Sequence, residues 1–129
     1  DAMAIARERG VRFVQKGLLP MLLGPGALAD AGLNARTLAM ADETGLDAFV
    51  RQQSAIMARP DSRPFLSQIR CPTLVLVGAE DRLTPPKVAE EIAGGISGSR
   101  LVVVPEAGHL SPMEEPQAVS DALAAWLQG

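Results

Sequence analysis

Two uninterrupted apolar runs in the second half of the chain restrict its fold most, because each ends in a loop with an ionisable group. The first is Thr73-Leu74-Val75-Leu76-Val77, followed by Gly78-Ala79-Glu80-Asp81. The second is Leu101-Val102-Val103-Val104, followed by Pro105-Glu106-Ala107-Gly108-His109. Neither run alternates polar with apolar residues. Such strands are covered on both faces, which is the habit of a parallel α/β sheet. Loops at the carboxyl ends of parallel strands carry the chemistry. Asp81 and His109, the only histidine, are therefore expected on one rim of the sheet.

The segments between and after these strands read as helices. Thr84-Pro85-Pro86 sets a cap before a first-turn proline, and the helix should run to about Ala93 and stop at Gly94-Gly95. Ser111-Pro112-Met113-Glu114 has the form of a capping box, with Ser111 as the cap and Glu114 at the third position. The helix it opens should reach about Leu127, with Ala118, Leu123, Trp126 and Leu127 toward the sheet.

Before Pro60 no strand is predicted. Ala2 to Arg9 is helix-prone, with Gly10 as a stop. Val11, Val14, Leu18, Leu19 and Leu22 recur at helical spacing, and Pro20 should end or kink that helix. Gly24-Pro25-Gly26 is a breaker. Asn34 to Ala41 reads as a short helix capped by Asn34. Thr44 to Arg59 reads as a longer one, with Leu46, Phe49, Val50, Gln53 and Met57 on one face. Pro64 to Ile69 is a short helical link.

Composition narrows the function. The chain has 129 residues, enough for one domain with a real core. Aromatics are 3% with no tyrosine, which argues against base-stacking platforms, and the net charge of −3 disfavours a phosphate-backbone partner. Nucleic acid is not an expected partner. A single cysteine, Cys71, excludes an internal disulfide and leaves no cysteine-based metal set, and it is expected as a buried thiol before its strand. No apolar run approaches the ~20 residues that cross a bilayer. Asp1-Ala2-Met3 lacks the features of a signal peptide, so a cytoplasmic location without membrane contact is expected. A two-strand parallel sheet cannot cover itself. The chain is accordingly expected to be a piece of a longer one.

From Ile69 to Gly129 the chain resembles the C-terminal part of the α/β-hydrolase family. Ile69-Arg70-Cys71-Pro72, the strand after it and Gly78-Ala79-Glu80-Asp81 are similar to the family's acid-bearing strand and loop. Thr84-Pro85 is similar to the start of the next helix. Pro105-Glu106-Ala107-Gly108-His109-Leu110 resembles the histidine loop, and Glu114-Glu115-Pro116 the helix after it. The resemblance implies a partial α/β-hydrolase fold: residues 1–66 a helical cap, residues 67–129 the end of the α/β core with two parallel strands alternating with helices. Among family members, the likeness is to small esterases, haloperoxidases and enol-lactonases.

The same resemblance implies Asp81 as the triad acid and His109 as the general base. Glu80 is the rival acid, read as a solvated neighbour. The bland alternatives are a turn aspartate and a surface-loop histidine. The family's nucleophile sits in Gly-x-Ser-x-Gly between a strand and a helix. Gly95-Ile96-Ser97-Gly98-Ser99 is the nearest match, but it ends in Ser and follows a helix. Ser54 and Ser111 fit no better. The nucleophile and oxyanion hole are therefore expected upstream of Asp1, and the chain alone is expected to be inactive. The implied substrate is a small apolar ester, lactone or similar carbonyl compound, and the chemistry requires no cofactor. Met3, Met21, Met40 and Met57 are read as core residues before substrate-entrance ones. The competing reading is a non-enzymatic binding or assembly module on a truncated hydrolase scaffold. In either case the open strand edge should drive association, most simply as a symmetric homodimer.

Overall fold

The computed structural model describes residues 1–129. Its first half is helical: α1 (Ala2–Arg9), α2 (Val11–Leu22), α3 (Pro25–Ala29) and α4 (Ala31–Ala58). A 3-10 segment, Arg63–Gln68, leads into β1 (Leu74–Gly78), α5 (Pro86–Gly95), β2 (Arg100–Val104), α6 (Ser111–Glu114) and α7 (Pro116–Leu127). β1 and β2 form a two-stranded parallel sheet in which Leu74 faces Arg100 and Gly78 faces Val104. The α/β class and the parallel pairing expected from the apolar runs are both present.

The core is split. Ala6, Val11, Ala41 and Phe49 bury one cluster among α1, α2 and α4. Val104, Ala107 and Val119 bury another, with Leu76, Val102 and Ala118 packed on it. Side chains alternate across a strand, so Leu76, Val102 and Val104 share the face that α7 covers. α5 also packs on both strands. Coverage is incomplete, and Val103 remains 42% exposed. The fully buried strands expected from their composition are thus only partly covered, because two helices and two strands do not enclose a sheet.

Several local expectations are corrected. The helix α4 is capped by Asp30, not Asn34. Asp30 Oδ1 accepts from the Gly32 and Leu33 amides at 2.7 and 3.0 Å. Asn34 lies inside α4 and donates through Nδ2 to the Leu28 carbonyl. The two helices expected on either side of Asp42 are both present within α4 and meet at a break at Gly45, where φ is 69° and ψ 170°. Glycine alone takes that backbone without cost. α2 runs through Pro20 and ends two residues after it, at Leu22. Pro25 opens α3 where only a breaker is expected.

The C-terminal helix is interrupted at Glu115, with φ −129° and ψ 63°. Pro116 disfavours the helical conformation in the residue before it. Leu123 and Leu127 face solvent at 44% and 76% exposure, not the sheet, and Val119 takes the buried position. Cys71 is exposed, not buried. Met21, Met40 and Met57 are exposed, so they are not core residues. No helix is long and apolar enough to cross a membrane.

Candidate active site

The loops after β1 and β2 are bound to each other before any side chain is considered. The Ala79 amide donates to the Val104 carbonyl at 2.9 Å, and the Glu80 amide to Ala107 at 2.8 Å. Gly78 makes this approach possible. A methyl group there would overlap the carbonyl oxygens of Ala107 and Gly108. The parallel register therefore places the two loops edge to edge on the carboxyl rim.

Asp81 is buried at the start of its turn. Its Oδ1 accepts from the Leu83 and Thr84 amides, both at 2.9 Å. Its Oδ2 accepts from the Thr84 hydroxyl at 3.0 Å and lies 2.9 Å from His109 Nδ1. Burial pushes the Asp81 carboxyl up, but the Thr84 amide, the His109 ring and the Thr84 hydroxyl together hold it below the usual carboxylate range. An ionised carboxylate can only accept, so Nδ1 carries the hydrogen. The far side of the ring points away from Asp81, and the His109 side chain is one-third exposed.

Thr84 departs from its expected role. It is not the cap of α5, whose N-cap residue is Pro85. Its hydroxyl instead turns back to Asp81 and sits 3.2 Å from His109 Nδ1. A threonine three residues after an acid is the signal that could have marked it, because that spacing lets one hydroxyl reach the carboxylate. Ser111 likewise makes no capping bond: it is the first residue of α6, after Leu110. The Glu114 half of the expected box does reach back, with Oε1 accepting from the Leu110 amide at 3.0 Å.

The other candidates fall elsewhere. Ser97 lies in the exposed turn before β2, at the opposite end of that strand from His109. Ser54 is spent on the Val50 carbonyl within α4. Ser111 is buried and lines the same cavity as His109 without a hydrogen bond to the ring. Glu80 lines a different depression, shared with Asp30, Glu106, Glu114 and Glu115. The cavity at the Asp81–His109 pair has a volume of about 350 Å³, an apolar wall from Val75, Val77, Val88 and Ile92, and Arg59 at its margin. No group of residues has the donors to hold a metal ion.

An imidazole held in this way can take a proton at Nε2 while the carboxylate stabilises the resulting cation. The chain matches the model of the alpha/beta hydrolase family over residues 2–122. It is similar to 3-oxoadipate enol-lactonase 2 of Acinetobacter baylyi, 29% identical over 121 residues, covering 94% of this chain and 45% of that one. Among solved structures, a thermophilic esterase from Thermogutta terrifontis superposes with a TM-score of 0.84 at 33% identity, covering 98% of this chain and 47% of the other. The enol-lactonase of Burkholderia xenovorans LB400 superposes with a TM-score of 0.90 at 25% identity, covering 99% and 49%. The chain spans just under half the length of each of these relatives. With the family's pattern matched over nearly its whole length, the chain belongs to the α/β-hydrolase family.

Proposed function

We propose that Asp81 and His109 are the acid and base of a Ser-His-Asp relay that hydrolyses a small ester or lactone. The observation that carries this reading is the 2.9 Å contact from His109 Nδ1 to the buried Asp81, which leaves Nε2 free. Nε2 would take the proton of a serine hydroxyl as it attacks the substrate carbonyl, and return it to the leaving oxygen. The acyl-enzyme would then be hydrolysed by water activated at the same nitrogen. Asp81 would remain ionised throughout. No metal or cofactor takes part in this scheme.

The nucleophile and oxyanion hole would come from sequence outside these 129 residues, because no Gly-x-Ser-x-Gly follows a strand within them. Residues 1–66 would act as the cap over the site, and residues 67–129 as the end of the α/β core. The lactonase and esterase relatives support a small ester or lactone as substrate, and the apolar wall beside His109 supports a largely apolar one.

The test is turnover of p-nitrophenyl esters and simple lactones by the longest polypeptide the gene encodes. Asp81→Asn and His109→Ala should each lower kcat by about 10⁴-fold, with KM little changed. The open edge of the two-stranded sheet favours a second reading, a binding module on a hydrolase scaffold. Turnover that is absent, or indifferent to both substitutions, would favour that reading.

A further inference from the structure

We propose that Glu114 is the positioning residue for His109: its carboxylate ties the histidine loop to the Leu22–Gly24 turn of the helical half. The proposal rests on the assignment of His109 as the base, but its geometry is separate from that of the Asp81 pair. Glu114 Oε2 accepts from the Gly24 amide at 2.8 Å and from the Gly108 amide at 2.9 Å. Oε1 accepts from the Leu110 amide at 3.0 Å. Gly108 and Leu110 flank His109 on either side. The amides of His109 and Leu110 also donate to the Leu22 carbonyl, at 2.9 and 3.2 Å. Every backbone N–H from Gly108 to Leu110 is thus taken by Glu114 or by Leu22.

The packing leaves no room for a looser arrangement. A Cβ on Gly24 would meet the Glu106 carbonyl oxygen at 2.9 Å and Glu114 Oε2 at 3.2 Å. One on Gly108 would meet the Leu23 carbonyl carbon at 2.8 Å and Glu114 Oε1 at 3.1 Å. The two glycines therefore close directly around the carboxylate. Bonds from amides to a carboxylate are short and strong compared with neutral ones. The imidazole depends on this anchor because its contact with Asp81 must hold within a few tenths of an ångström. The helical half then has a second role besides covering the site: its Leu22–Gly24 turn forms the far wall of the histidine loop.

A glutamine is the informative replacement. It keeps the volume of Glu114 but has one acceptor oxygen, and its NH₂ would confront an amide donor. If Glu114 served only to fill space, Glu114→Gln would be silent. The 129-residue chain has His109 as its only histidine, so its ring signals are unambiguous. In the wild type, the His109 Nδ1–H should give a far-downfield proton resonance, and the Gly24, Gly108 and Leu110 amides should exchange slowly. Glu114→Gln should accelerate exchange of the Nδ1 proton and of these amides at least tenfold, while the adjacent Glu115→Gln should change neither. In the catalytically competent polypeptide, Glu114→Gln should lower kcat at least tenfold with KM within twofold. Unchanged Nδ1–H and amide exchange in Glu114→Gln would overturn the proposal. So would fast exchange of the three amides in the wild type, a result available even if the variant fails to fold. Turnover that ignores His109→Ala, with the exchange effects intact, would instead overturn the catalytic reading and leave the clamp standing.

Discussion

Asp81 has all of its acceptor capacity engaged, by two amides, one hydroxyl and one ring nitrogen. Its carboxyl is held below the unfolded value of 3.8, so it contributes stability above that pH. That contribution is lost as pH falls below 3.8 and the folded carboxyl takes up its proton. Asp81→Asn should therefore flatten the acid limb of a stability–pH curve, measured by denaturant unfolding between about pH 5 and pH 2. The curve would keep the same slope if the carboxylate were not held in this way. Thr84→Val removes one hydroxyl bond and should cost about 1 kcal/mol, read from the same unfolding curves. Asp81 and His109 are legible in the sequence because each follows an apolar strand. Thr84 is not, because its pattern is equally that of a helix cap, and only the folded turn decides which group its hydroxyl meets.

At the level of elements, glycines separate positions that look alike in the sequence. Gly78 ends β1 against the Ala107 and Gly108 carbonyls, and Gly78→Ala should destabilise by on the order of 3 kcal/mol through overpacking. Gly17 lies inside α2 with open space where a methyl would go, so Gly17→Ala should stabilise by about 1 kcal/mol. Thermal unfolding of the two variants should move in opposite directions. A Gly78→Ala variant as stable as the wild type would contradict the close approach of the β1 loop to the histidine loop. Strands and most helices are readable from apolar spacing and proline. The break at Gly45 lies one residue inside the second of the two helices expected there, and the break before Pro116 is signalled by that proline, although a single helix is expected from Ser111 to about Leu127. The face of α7 is hidden from the sequence, because Leu123 and Leu127 have no partner within these residues to cover them.

For the whole molecule, the sheet has two strands and both outer edges are unpaired. β1 has one paired edge, and beside it Val88 and Ile92 are 40% and 37% exposed. An open edge with an apolar wall favours strand addition. The 129-residue chain should self-associate, with a mass by light scattering that rises with concentration. A monomeric mass throughout, with β1 amides protected from exchange, would contradict this expectation. Under the proposed function, the same edge would pair with a further strand carrying the nucleophile. The relay is tested by treating the longest polypeptide the gene encodes with a fluorophosphonate and locating the label by peptide mapping, with His109→Ala alongside. A serine outside residues 1–129 should carry the label, and labelling should be slower by about 10³-fold or more in the variant. A label on Ser97 or Ser111, or labelling that ignores the loss of His109, would refute the relay.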